Sequence, residues 1–338
     1  MELASRWVRR RVGLAKVNPV YLVLGMHRSG TSAATQLLAL AGCGLPENLV
    51  TADEHNARGY FEPWRIAVLN DERLRAAGGA WDDPFGFPYR PLPDDEAWRM
   101  RAASVLTEEY GTARSPLLKD PRVSVLLPLW RPVLEDAGLS PLCVIPVRDP
   151  LEVAKSLAKR DGFSLDKSIL LWCAYMLAAE LYSRDLPRVF VNFDSLLIDW
   201  RAQAARIEAA RGRPLPKLDA AAGEAIDAFL SPEMRHHRAG EALKDVSPAG
   251  VLAAPLLAWF QAAARDEAQS HAALDQAADA LAALQAQVGT LVSPLTRDLD
   301  RTRADLLYTR QLLELERANH QAQLDRIAAA AKVLAADG

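Results

Sequence analysis

Cysteine is scarce: Cys43, Cys143 and Cys173 are the only three in 338 residues. They are too few and too widely spaced for a disulfide framework or a cysteine zinc site. Each sits in an apolar stretch, so buried, reduced thiols in a cytoplasmic protein are expected. An excess of one charge is also lacking. The 40 Lys and Arg against 43 Asp and Glu leave a formal net charge of -3, which gives no global reason to bind nucleic acid. No hydrophobic run is long. The best, residues 169–179, is about half of what a bilayer span needs. The basic residues Arg6, Arg9, Arg10, Arg11 and Lys16 precede an apolar stretch of only residues 20–24, too short for a signal-peptide core. Residues 1–19 are therefore a basic leader. It is either solvated or, with Trp7, Val8 and Leu14 among its charges, an amphipathic helix touching anionic lipid. Stable membrane insertion is not expected.

What is present suits a soluble globular enzyme: half the residues are hydrophobic and a quarter charged. Pro19 precedes Val20-Tyr21-Leu22-Val23-Leu24, a continuous apolar run of the kind a strand covered on both faces shows. A tight turn at Gly30 leads to helix formers over 33–41, with Gly42 as the stop. A second strand, 142–147, runs into Arg148-Asp149-Pro150, where Asp149 can cap a helix that Pro150 begins. A third strand is read over 188–193, with Asp194 opening the next helix. Strands alternating with helices predict an α/β fold with a mainly parallel central sheet. Between the first two units, residues 51–99 are rich in Gly and Pro and carry Trp64, Trp81, Phe85, Phe87 and Tyr89. Long aromatic-bearing loops of this kind are expected to wall a site, although Trp81 taken alone reads as core.

Gly25-Met26-His27-Arg28-Ser29-Gly30-Thr31-Ser32 has P-loop glycine spacing, with Thr31 where lysine would stand, between a strand and a helix. Unpaired N–H groups and the positive end of the helix dipole would face an anion there. Gly30 permits close approach, the hydroxyls of Ser29, Thr31 and Ser32 add donors, and Arg28 supplies a cation. A nucleoside triphosphatase uses the lysine together with a magnesium ion, so its absence points to a different anionic substrate.

Leu24-Gly25-Met26-His27-Arg28-Ser29-Gly30-Thr31-Ser32 resembles the 5′-phosphosulfate loop of bacterial sulfotransferases, in which a basic residue precedes Ser-Gly-Thr. The family binds the donor's 3′-phosphate with an arginine at a strand end and a serine eight residues on; Arg148 and Ser156 match. The resemblance covers roughly residues 20–240. It implies a P-loop-like α/β fold, 3′-phosphoadenosine 5′-phosphosulfate as donor, and no metal. It places the donor on His27, Arg28, Ser29, Gly30, Thr31, Ser32, Arg148 and Ser156. Lys119-Asp120-Pro121-Arg122 resembles the segment whose lysine approaches the transferring group. Lys119 and Arg28 are thereby implied to stabilise developing charge. Phe193-Asp194-Ser195-Leu196-Leu197 resembles a stretch that ends a core strand in relatives, and is read as structural. The acceptor hydroxyl needs a base. Arg58-Gly59-Tyr60-Phe61-Glu62 resembles the context of a glutamate base in carbohydrate sulfotransferases, which makes Glu62 the candidate and a saccharide or glycolipid the expected acceptor. An aromatic, partly dry setting is expected to raise the Glu62 pKa. His55 and Asp53 are the alternatives.

Beyond about residue 251 the composition turns to Ala, Gln, Leu, Asp and Arg. Val292, Leu299, Leu306, Leu313, His320, Ile327 and Leu334 recur every seventh residue, with polar companions at Thr302, Thr309, Glu316 and Gln323. A half-formed coiled-coil seam is read, interrupted or kinked at Pro294. It either self-associates or packs back on the domain. The expected organisation is leader 1–19, catalytic domain 20–250 and helical extension 251–338. Two rivals stay open. One is a degenerate P-loop kinase or hydrolase, which would need a magnesium-binding aspartate at a strand end. The other is a non-catalytic scaffold that recruits partners through the tail.

Overall fold

A computed structural model describes residues 18–52, 56, 59–86, 90–111, 113–230, 243–267 and 270–336. Residues 1–17, which hold most of the expected leader, and Asp53, His55 and Arg58 lie outside the described residues. In chain order the elements are β1 (Asn18–Val23), α1 (Thr31–Leu40), α2 (Trp64–Ala76), α3 (Asp95–Tyr110), β2 (Leu117–Lys119) and α4 (Val123–Asp136). They continue with β3 (Leu139–Val147), α5 (Pro150–Asp161), α6 (Leu165–Tyr182), β4 (Arg188–Asn192), α7 (Phe193–Ile198) and α8 (Trp200–Arg211). Last come α9 (Ala220–Phe229), α10 (Leu243–Val246), α11 (Gly250–Ala263) and α12 (Ala272–Ala336).

The four strands form one parallel sheet in the order β2-β1-β3-β4. Successive side chains of a strand point to opposite faces, and here both faces are covered. Val20, Leu22, Cys143, Ile145 and Phe190 enter the larger core with α3–α6 and α11. Tyr21, Val23, Leu142, Val144, Val189 and Val191 enter the smaller one with α1, α7, α8 and α9. This two-sided burial is why the strands read as unbroken apolar runs rather than alternating ones. The chain is thus an α/β protein with a central parallel sheet flanked by helices and a C-terminal helical region. The three cysteines are buried and unpaired. No described helix is long and apolar enough to cross a membrane.

Several boundaries differ from the sequence reading. Helix α1 begins at Thr31, two residues early, because Gly30 takes a left-handed backbone (φ 93°) and turns the chain at once. Strand β4 ends at Asn192, whose Oδ1 accepts from Ser195 N at 3.0 Å. That cap starts α7 at Phe193. The expected cap at Asp149 forms, its Oδ1 accepting from Leu151 N at 2.8 Å. Region 51–99 is more than loop: it contains α2 and the start of α3. The inward stripe of α2 is Ile66, Leu69, Asn70, Arg73 and Leu74, so two polar residues hide its period. Both polar residues find partners inside. Asn70 donates to Asp120 Oδ2 at 2.8 Å and accepts from Trp130 Nε1 at 2.8 Å. Arg73 pairs with Asp95 at 2.9 Å.

Helix α11 and the start of α12 are built into the larger core through Leu256, Trp259, Phe260, Leu274, Ala277 and Leu281. Phe260 is fully buried, ringed by Trp172, Phe190 and Trp259. Phe260→Ala is expected to cost about 3–5 kcal/mol, read as a lower urea midpoint. A loss below about 1 kcal/mol would mean α11 is not part of the cooperative core.

Pro294 does not interrupt α12. Contacts on both sides of it hold the helix to the domain: Gln285 donates to the Phe85 carbonyl, Asp300 pairs with Arg75 at 2.9 Å, and Arg303 pairs with Asp82 at 3.1 Å. Farther on, Leu306, Leu313 and Leu324 are exposed.

Candidate active site

The loop after β1 is held in shape from three sides. Gly25 N donates to Ser124 Oγ at 2.7 Å, which ties the loop to the first turn of α4. Leu24 N donates to the Val144 carbonyl at 3.0 Å, from β3. At Gly30 the ring of Phe193 lies so close that an added Cβ would stand 2.4 Å from its Cδ2. The Phe193 ring also carries the Arg148 guanidinium, 4.5 Å from its centroid. Such a stack orients the planar fork of an arginine.

The glycine-spaced loop and the Arg148/Ser156 pair meet on Arg28. Arg28 Nε donates to Ser156 Oγ at 2.8 Å, and Arg148 Nη1 donates to the Arg28 carbonyl at 3.0 Å. Glu152 fixes Arg148 from the opposite side, at 3.0 Å. Arg28 itself sits at φ 68°, unusual for a residue with a side chain. Burial, then the neighbouring Arg160, pull its guanidinium below the ordinary arginine value. Ser29 Oγ is buried without a hydrogen-bond partner. An unpaired buried hydroxyl beside a helix N-terminus is what an anion-binding cradle presents when an anion is its natural partner. Thr31 is buried, and Ser32 Oγ approaches the Tyr60 carbonyl at 3.4 Å.

Tyr60 links the cradle to a buried ionic cluster. Lys119, the last residue of β2, donates to the Tyr60 carbonyl at 2.9 Å and to Glu62 Oε1 at 2.6 Å. Arg122 reaches the other Glu62 oxygen at 3.5 Å and also faces Asp71 and Asp120. The expectation of a raised Glu62 pKa is therefore corrected. Burial does push it up, but Lys119 and then Arg122 outweigh burial and hold the carboxylate below its ordinary value. Burial lowers the Lys119 ammonium, against the opposing pull of Glu62. Asp71 lies farther from compensation and is raised to about 6, chiefly by burial.

Sequence reasoning missed several members of the site. Arg160 is one: Glu152, Ser156 and Arg160 stand four residues apart on α5, one face of a helix. Its guanidinium lies 5.5 Å from the Trp81 ring centroid. That spacing from Ser156 was the available signal. Arg122 stood inside a recognised segment, but only its lysine received a role. Trp81 is neither plain core nor an open platform; it is half-buried, 4.8 Å from the His27 ring and 5.7 Å from Phe163. Among the described residues, no three His, Cys, Asp or Glu side chains converge as a metal site.

No family model matches the chain, and no curated protein matches it. Solved structures with some likeness include a sulfotransferase domain from the curacin biosynthetic pathway, at 11% identity and TM-score 0.40, over 72% of this chain and 99% of that one. Another is the sulfotransferase domain of the Synechococcus PCC 7002 olefin synthase, at 15% identity and TM-score 0.40, over 71% of this chain and 94% of that one. A third is sulfotransferase STF1 from Mycobacterium tuberculosis H37Rv, at 14% identity and TM-score 0.35, over 66% of this chain and 74% of that one. At such identities and scores, function has to be argued from this chain's own residues.

Proposed function

We propose that this protein is a sulfotransferase that moves a sulfuryl group from 3′-phosphoadenosine 5′-phosphosulfate to a hydroxyl, of a saccharide or glycolipid by preference. The observation that carries the reading is the meeting of Arg148, Ser156 and Arg28 at one loop, beside the unpaired Ser29 hydroxyl. Arg148 and Ser156 would hold a 3′-phosphate. The loop amides, with His27, Arg28, Ser29, Gly30, Thr31 and Ser32, would hold the phosphosulfate end. When bound, the donor supplies an activated sulfuryl group with a phosphate as leaving group.

The chain's residues bind, orient and move a proton. Arg28 and Lys119 stabilise negative charge on the leaving phosphate oxygen and the equatorial oxygens. Glu62 accepts the acceptor's proton as the new S–O bond forms. Its nearer partner is Lys119, so a Lys119 ammonium drawn toward an anionic donor raises the basicity of the carboxylate, leaving Arg122 at 3.5 Å. The kinase alternative has less support. Strand β3 ends at Val147 and is followed directly by Arg148 rather than an acid, and Asp120, after β2, is already engaged by Asn70 and Arg122. Self-association through the exposed leucines of α12 is a further part of the proposal, tested by the oligomeric state of the intact chain.

The deciding experiment is calorimetry with adenosine 3′,5′-bisphosphate against ATP, with and without magnesium. Metal-independent binding of the bisphosphate in preference to ATP is expected. ATP binding that needs magnesium would favour the kinase reading instead. Arg148→Ala should weaken the bisphosphate by roughly 10–100-fold, the worth of a charge-assisted contact. Unchanged affinity would remove Arg148 from the donor site.

A further inference from the structure

His27 is buried inside the loop, and its Nε2 has no hydrogen-bond partner. A clamp of two rings holds it. Trp81 lies at 4.8 Å and 59°, Tyr175 at 5.9 Å and 74°. The Tyr175 hydroxyl donates to the Trp81 carbonyl at 2.7 Å, which locks the clamp. An unpaired ring nitrogen in such a setting calls for an explanation.

The charges that act most strongly on the ring are cationic. Arg28 stands in the loop, Lys119 at the end of β2, Arg122 ahead of α4 and Arg160 on α5. Five carboxylates nearby are tied to cations. Glu62 is held by Lys119, Asp71 and Asp120 by Arg122, Asp161 by Arg160, and Asp82 by Lys167 and Arg303. Burial first, then Arg160, Arg122, Lys119 and Arg28, push the imidazole well below its ordinary value of 6.5. His27 is therefore neutral in the free protein.

We propose that His27 takes up a proton when the polyanionic donor docks, so that its unpaired Nε2 becomes a charged N–H and joins the cations that grip the phosphosulfate end. The inference rests on the donor reading of the preceding subsection. A ligand with several negative charges, set among Arg28, Lys119, Arg122 and Arg160, reverses the field at the ring. An opposite charge that close favours the protonated form. Protonation linked to binding has a definite sign. The bound value lies above the free one, so affinity rises as pH falls through the bound value, by at most about tenfold per pH unit.

Binding of adenosine 3′,5′-bisphosphate is measured by calorimetry near about pH 6, in two buffers of different protonation enthalpy, on wild type and His27→Gln. The wild type is expected to take up roughly 0.5–1 proton more per ligand than the variant. The ligand's own phosphates titrate in both proteins and cancel in the difference. Glu62→Gln, run alongside, is expected to keep the extra proton. A second measurement needs no variant. In isotope-labelled wild type, the sequentially assigned His27 ring signals move from the neutral to the protonated position when the bisphosphate is added. Equal uptake in wild type and His27→Gln, or a ring that stays neutral with the bisphosphate bound, overturns the role of His27 and leaves the donor site standing. Failure of the bisphosphate to bind at all overturns the donor reading, and this inference with it.

Discussion

Glu62→Gln is expected to slow sulfuryl transfer by about 10²–10⁴-fold, the usual worth of a positioned base, while bisphosphate affinity stays near that of wild type. The amide oxygen of glutamine can still accept from Lys119, which lies 2.6 Å from the carboxylate, so the buried ammonium keeps a partner. This matters because a buried cation left alone costs about 3–5 kcal/mol. The readout is single-turnover transfer from labelled donor to a panel of hydroxylated sugars, with thermal melting recorded in parallel. Turnover near the wild-type rate, in a protein that melts normally, would take Glu62 out of the mechanism. The pH profile gives a second check. Lys119 and Arg122 outweigh burial and hold the free carboxylate below the ordinary glutamate value. It is therefore ionised throughout the neutral range, and the acid limb of kcat/KM should fall below that value, not above it.

Gly30→Ala is expected to remove bisphosphate binding almost entirely. Two costs fall on this position. Its φ of 93° disfavours a residue with a Cβ, and the added carbon would meet the Phe193 ring at 2.4 Å. Together they destabilise the local structure by about 2–5 kcal/mol. The ring cannot yield freely, because it also carries the Arg148 guanidinium. A single methyl thus disturbs the loop and Arg148 at once. Gly30→Ala combined with Phe193→Leu should recover part of the affinity, since it relieves the clash but not the dihedral. If Gly30→Ala bound the bisphosphate like wild type in the same titration, the loop would not be the anion site.

The parts of this molecule that were readable from sequence are those in which one local rule decides. Strands β1, β3 and β4 announce themselves by unbroken apolar runs, because both sheet faces are covered. The loop and the Arg148/Ser156 pair are legible because glycine spacing and a helix cap are local. Strand β2 was not, because Leu117-Leu118-Lys119 is too short to show a period and is defined by its pairing with Tyr21, Leu22 and Val23. Helix α2 hid behind the buried Asn70 and Arg73, whose partners sit on α3, β2 and α4 or in the loops beside them. The Glu62 environment failed for the same reason. Local sequence shows its aromatic neighbours, whereas its ionisation is set by Lys119 and Arg122, some sixty residues away.

The ties between α12 and the segment around Asp82 have a consequence for the order in which the protein is made. Phe85 waits for Gln285, and Asp82 waits for Arg303, across 200 and 221 residues of chain. A ribosome adds about 5–20 residues per second, so roughly ten to forty seconds pass between the two halves of each contact. Through that interval the sheet and the 25–32 loop can already form, since their residues emerge before α12. Trp81, beside Asp82, gains its full support only after α12 leaves the exit tunnel. A nascent chain stalled before Arg303 should therefore carry the 25–32 loop with the Asp82 segment not yet fastened to α12.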